Sequence, residues 1–535
     1  MKNNAKWLIC QMLIAMMVAG QYVQAQTSTP VPRIIRKGNH HTLEVDGKPF
    51  FMLGGQVGNS SNWPSMLPGV WDTMKTMHAN TLEIPIYWEE VEPVQGSYDF
   101  SSVQRILDQA RENKVRLILL WFATWKNGSN HYMPEWMKKD SKQYYNVTSI
   151  KGTPVDSPSP HAKATMEADA KAFREFMAYL KEKDPQHTVI MVQVENEPGT
   201  WGSIRDYGKE AQKLFAQQVP SEVFTTSVCK ELGVDKNAKG SWAQVFGERA
   251  DEYFHAWHVA KYINYVAQAG KEVNPLPLFV NVALRDPLTN PTADNYESGG
   301  ATDNVISLWK AAAPCIDMVS PDIYLRGDET VLKVIDLYAR DDNALMVPET
   351  GSANSKYLYK VIEKGIGFSP FGVDKRRQAL GSATRDALSY EYELLDPMNQ
   401  ELARWAAEGR IQTVIEPEDH SEQHISLGEW EAIIIFGGGR GNNSAQSAER
   451  AANGKAMIIR LSDNEFLGIG TNCRFTFNTA GKNKGRAWQY LKVKEGKWEN
   501  GEFKMSRILN GDETDWGGPQ VGEIPNLLHF TFVAR

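Results

Sequence analysis

From about residue 50 to 375 the chain alternates short apolar runs with amphipathic stretches. The apolar runs, at 50–54, 81–88, 115–121, 189–194, 278–284, 316–324, 344–348 and 365–369, read as eight strands. Each is apolar nearly throughout, as strands covered by helices on their outer face must be. Between them the period lengthens. In 101–113, Val103, Ile106, Leu107 and Ala110 fall at i, i+3, i+4 and i+7, and Asp99 or Ser101 can cap the exposed N–H groups. Phe173, Phe176, Met177 and Leu180 repeat that spacing just before the fourth strand. Eight such β-then-α units predict an α/β fold, a (β/α)8 TIM barrel whose functional residues sit at the C-terminal ends of the strands. An open doubly wound sheet is the alternative. It would normally carry a glycine-rich phosphate loop after an early strand, and Gly54-Gly55 lacks the G-x-G-x-x-G pattern.

The pattern then changes. Residues 374–409 look helical, with Leu394, Leu395, Met398, Leu402 and Trp405 on one face. Beyond them 424–436, 455–461, 473–477 and 529–533 read as strands between Gly- and Asn-rich turns, and 436–455 as a solvated loop. The expected organisation is a leader at 1–25, a catalytic barrel at 33–398 and a small C-terminal β-rich domain at 410–535.

Length supports the division, since 535 residues exceed what one core organises. A formal net charge of -7 without a basic stripe argues against nucleic acid as a partner. Sixteen Trp and 19 Tyr supply flat faces that suit sugar rings, although packed cores also use them. Lys2 and Lys6, the apolar run 7–19 and Val23-Gln24-Ala25 form a secretory signal pattern, so a secreted or periplasmic protein is expected. No later stretch has 18 uninterrupted apolar residues, so no membrane partner is expected for the mature form. Cys229, Cys315 and Cys473 are far apart and fit neither a disulfide framework nor a zinc site.

The chemistry concentrates in "MVQVENEPGT" at 191–200, where a buried strand runs into Glu195, Asn196 and Glu197. The two glutamates share a parity, so both are expected to point into the barrel, Glu197 at the mouth and Glu195 deeper. A second carboxylate ends the seventh strand, Glu349 in "ALMVPETGS". Strands four and seven face each other across an eight-stranded barrel. Two carboxyls about 5 Å apart can hydrolyse a glycoside with retention, one as acid/base and one as nucleophile. Ion pairs with nearby Arg or Lys are the structural alternative, weakened by there being two such strand ends.

Asn196-Glu197 with a Glu ending strand seven resembles the large superfamily of retaining (β/α)8 glycosidases. That resemblance implies Glu197 as acid/base, Glu349 as nucleophile and Asn196 as partner of the sugar 2-hydroxyl, with Glu195 behind them. "VQVENEPG" further resembles the Q-x-E-N-E-x-G of glycoside hydrolase family 35 β-galactosidases, and "NTLEIPIYWEEVEPVQGSYDF" (80–100) the strand-two segment of families 35 and 42. "GRIQTVIE", "DNEFLGIG" and "LNGDETDWGG" resemble the accessory β-domain of one bacterial branch of family 35. One position departs: where many family 35 enzymes carry a galactose-contacting Glu after strand three, "WFATWKNG" (121–128) has Thr124. Trp88, Glu89, Trp125, Lys126 and Asn127 are candidates to replace it. Trp88 and Trp125 could equally be core, and Lys126 a solvated loop charge. Tyr324, ending strand six, could hydrogen-bond Glu349. The histidines show no H-E-x-x-H, so no metal is expected, and no cofactor. The resemblance implies a retaining exo-β-galactosidase acting on plant-type poly- or oligosaccharides. A glycosidase for arabinosyl, fucosyl or glucosyl ends, or a non-catalytic sugar-binding protein, are the rivals. Oligomeric state is not legible.

Overall fold

A strand with both faces buried has little use for polar side chains, and the eight apolar runs are the eight strands of a parallel barrel. In the computed structural model, which describes residues 29–375, 386–437 and 451–535, they are Met52–Gln56, Thr81–Tyr87, Arg116–Lys126, Val189–Asn196, Leu278–Ala283, Met318–Ile323, a split seventh strand and Gly367–Phe368. The seventh strand is split by Pro348, which has no N–H to give to a ladder. Met346–Val347 pairs with strand eight and Glu349–Thr350 with strand six, so this one strand closes the barrel. The proposed leader lies outside the described residues, as does most of the 436–455 loop.

Met52, Ile118, Leu120, Phe122, Met191, Phe279, Met318 and Met346 fill the interior, so the barrel is a packed core and not a pore. An antiparallel sheet of Arg33–Lys37, His40–Val45 and Lys48–Phe50 precedes it, and its Leu43 and Val45 join that interior cluster. The outer helices include Ser101–Asn113, as its spacing predicts; Asp99 caps it by accepting from the Ser101 N–H at 2.8 Å. Helix Lys163–Lys183 lays Phe173 and Phe176 against Trp121 of strand three.

The expected long helix over 374–409 is broken. Ala387–Leu395 and Asn399–Ala407 are separated by a 3-10 turn at Asp396–Met398, because Pro397 cannot continue the first helix. Residues 376–385 lie outside the described part. The C-terminal region is a sandwich of two antiparallel sheets. One contains, in spatial order, Ile411–Ile415, Lys455–Ser462, Glu465–Thr471, Asn526–Ala534, Trp488–Glu499 and Glu502–Leu509. The other contains Gln423–Ser426, Trp430–Phe436, Cys473–Thr479 and Gln520–Val521. Phe475, Phe477, Phe530 and Trp430 lie in the core between them. On the other face of the larger sheet, Ile411, Met457, Ile459, Leu467 and Leu527 belong to the same buried cluster as the barrel and its helices. Lys455 reinforces that seam, pairing with buried Glu391 at 2.6 Å and donating to the Ser355 carbonyl. Among the described residues no helix is long and apolar enough to cross a membrane.

Candidate active site

The fourth strand delivers its carboxylates through unusual backbone. Glu195 and Glu197 both have positive φ, 64° and 45°, a region that L-residues with a Cβ seldom occupy. Such strain persists only where surroundings enforce it, and it clusters at functional sites. The surroundings are visible. The Glu197 N–H donates to Asn281 Oδ1 of strand five at 2.9 Å, and the Asn127 and Gly128 N–H groups reach the Asn196 and Glu197 carbonyls, each at 3.2 Å.

The two left-handed residues also break the strand's alternation. The expectation that Glu195 and Glu197 both face inward therefore fails for Glu195. Its Oε2 accepts from the Trp125 N–H at 2.7 Å, and its carboxyl is pushed well up by burial and then by Asp169 of the surrounding helix layer. Thr124 of strand three also turns its hydroxyl to the helices: it donates to Asp169 at 2.7 Å and lies 2.9 Å from the Tyr262 hydroxyl. The position where a galactose-reading Glu was expected is thus turned away from the mouth.

Glu197 and Glu349 are brought together. Burial and then the Glu349 charge raise the Glu197 carboxyl to about 7. Glu349 is held through Oε1, which accepts from the Tyr324 hydroxyl at 2.7 Å, while its Oε2 has no protein partner among the described residues. Burial and then Glu349 push the Tyr324 phenol far up, so it remains a donor. Asn196 Oδ1 accepts from Lys126 Nζ at 2.8 Å, and its Nδ2 is left without a protein partner among the described residues.

The other candidates divide. Lys126 is no solvated loop charge: it is 4% exposed, in register with Asn196, and bonded to Asn127 Oδ1 as well. Asn127 is exposed beside it. Glu89 stands at the rim, paired with Lys138 at 3.1 Å. Trp88 and Trp125 are core residues, not sugar platforms. Trp88 is fully buried against Trp121 and donates to Glu92 at 2.8 Å; Trp125 is fully buried edge-on to Tyr262.

Four buried polar residues escaped the sequence reading. Asp322 of strand six pairs in register with Glu349, and its Oδ2 accepts from Asn281 at 2.6 Å. Its carboxyl is pushed well up by burial, then Glu349 and Glu197. Glu83 of strand two is pushed up by burial and, more weakly, by Glu349. Glu297, in the loop after strand five, is pushed up by burial and then Glu197. Gln56 of strand one ties the Pro348 carbonyl at 3.1 Å. A lone Asp in "MVSPDIY" was the available signal for the first; Glu297 had none. Burial and crowding of this kind push the carboxyl set upward, which suits proton transfer.

With that geometry in hand, comparison with known proteins is informative. Residues 59–268 match the glycoside hydrolase family 42 model, described as beta-galactosidase, and residues 388–518 match a domain of unknown function, DUF5597. The barrel segment is therefore family 42-like, and family 35, which the strand-four motif resembles, is not the family it matches. Beta-galactosidase 14 of Arabidopsis thaliana is 22% identical over 163 residues, which cover 29% of this chain and 17% of the plant protein. The β-galactosidase of Bacillus circulans sp. alkalophilus aligns with a TM-score of 0.48 at 13% identity, covering 66% of this chain and 57% of that one. The β-galactosidase of Rahnella sp. R3 aligns at 0.46 and 17%, covering 69% and 58%. The chain thus spans about a sixth of the plant relative and somewhat over half of these two bacterial enzymes.

Proposed function

We propose that this protein is a retaining exo-β-galactosidase that removes terminal β-galactosyl residues from plant-type oligo- or polysaccharides, outside the cytoplasm. The observation that carries the reading is the unequal pair at the mouth. Glu197 is raised to about 7 by burial and by Glu349, while Glu349 is fixed by Tyr324 and keeps one oxygen free. Glu349 Oε2 attacks the anomeric carbon as the glycosidic C–O bond breaks. The Glu197 proton passes to the departing oxygen. Water then enters, Glu197 takes its proton, and the hydroxide displaces Glu349 to release the sugar. Asn196 Nδ2 offers a hydrogen bond to the 2-hydroxyl. The family 42-like segment at 59–268 supports a galactoside as substrate, as do the motif residues shared with family 35. The barrel at 33–398 carries the chemistry and the domain at 410–535 braces it.

The test is wild type and Glu349→Gln side by side on aryl β-galactoside, β-glucoside, β-fucoside and α-arabinoside. Turnover of the galactoside by wild type alone is the expected result. Turnover of another sugar alone would reassign the substrate, and undiminished activity in the variant would refute the nucleophile.

A further inference from the structure

Large aromatic side chains are seldom left open to water without a reason, and among the described barrel residues two tryptophans are. Trp63, 43% exposed, follows strand one and rests on Tyr87. Trp201, 51% exposed, follows strand four, four residues beyond Glu197. Trp88, Trp121, Trp125, Trp242 and Trp309 are buried to within 1%. Exposure of Trp201 is not looseness. Thr200, immediately before it, exchanges both backbone hydrogen bonds with Ser298, at 2.8 and 3.0 Å. The Thr200 hydroxyl also meets His255 Nε2 at 2.9 Å and Ser157 at 3.0 Å.

One edge of the indole lies close against the backbone at Gly128. A Cβ added at Gly128 would come within 2.7 Å of Glu297 Oε1 and 3.0 Å of Trp201 Cδ1, so the glycine lets ring and carboxyl converge there. A Cβ at Gly199 would meet Glu297 Cγ at 2.8 Å. Two glycines thus make room for a buried carboxyl beside the ring, while much of the indole stays open to solvent. The same Gly128 donates its N–H to the Glu197 carbonyl, so ring and acid share one scaffold.

From this arrangement we infer that Trp201 is the platform of a subsite for the leaving-group sugar, so that the enzyme's substrate is a galactosyl oligosaccharide in which a second pyranose stacks on the indole. The inference rests on the assignment of Glu197 as acid/base. The departing oxygen must lie beside the group that protonates it, and the sugar bearing that oxygen therefore lies on the Glu197 side of the mouth. Trp201 is the large apolar face there. A pyranose presents an apolar C–H face of its own, and burying it against indole removes both from water.

The experiment compares wild type, Trp201→Ala and Trp201→Phe on a β-galactosyl disaccharide and on methyl β-galactoside, whose aglycone is too small to stack. For Trp201→Ala, kcat/KM on the disaccharide is expected to fall about tenfold more than on the methyl glycoside, the loss of about 1.4 kcal/mol. Trp201→Phe, which keeps a stacking face, should recover most of that difference. Equal losses on both substrates would overturn the subsite and make Trp201 a brace for Glu297. Absence of wild-type turnover on both would instead strike the galactosidase assignment itself.

Discussion

Strands four and seven each end in a catalytic-candidate glutamate, yet they present it by opposite means. Strand four bends through two left-handed residues and is gripped from strands three and five. Strand seven stays extended; Pro348 merely switches its ladder from strand eight to strand six, leaving Glu349 beside Asp322. The difference fits the tasks proposed for the two glutamates. A proton donor needs burial to hold its proton, and a strained, enclosed turn supplies it. A nucleophile needs one oxygen fixed and one free, and a regular strand with Tyr324 alongside supplies that.

The comparison can be broken at several depths. Glu349→Gln removes the proposed nucleophile and should lower kcat more than about 10⁴-fold on every substrate. Glu197→Ala should cost about 10²- to 10⁴-fold on alkyl glycosides, whose leaving groups need a proton, and much less on activated aryl glycosides. Equal losses across leaving groups would show that Glu197 is not the acid. Gly199→Ala forces a Cβ towards Glu297 and the Ser298 carbonyl, so it should disturb the strand-four side alone. About a tenfold loss is expected, again greatest for poor leaving groups; a uniform loss would separate Gly199 from the acid.

The smallest effect is in pH. If Glu197, raised to about 7, is the proposed acid, kcat/KM should decline above that pH. Lys126 is the nearby charge that lowers Glu197. Lys126→Met should therefore move the alkaline limb to higher pH, whatever it does to the maximum rate. The same raised carboxyl binds more protons in the folded than in the unfolded protein. Its contribution to stability is thus present below its ordinary value of 4.5 and lost as pH rises towards about 7.

The barrel was legible because both faces of its strands are buried, and continuous apolar runs such as "VIMVQV" leave little else to read. Glu197 and Glu349 were legible as charges stranded at the ends of those runs. Glu195 misled because parity holds only while φ stays negative, and no sequence rule foretells left-handed glutamates on both sides of Asn196. Lys126 and Glu297 gain their meaning from burial by distant segments, which spacing does not record. In the sandwich, Ile411–Ile415, Glu465–Thr471 and the hairpin of Trp488–Glu499 with Glu502–Leu509 went unread. The hairpin is mostly exposed, so its side chains carry no strong alternation.

The seam between sandwich and barrel has a consequence for how the molecule can be taken apart. Because Ile411, Met457, Leu467 and Leu527 are buried in one cluster with Leu402 and Trp405, the two regions share a single interior. A fragment ending near residue 398 would carry every candidate site residue and still present a raw apolar flank, with Glu391 stripped of its lysine. Heritable exchange of the C-terminal region, or its replacement by design, must therefore preserve that buried contour. The modular-looking sandwich is in this sense the barrel's missing outer wall.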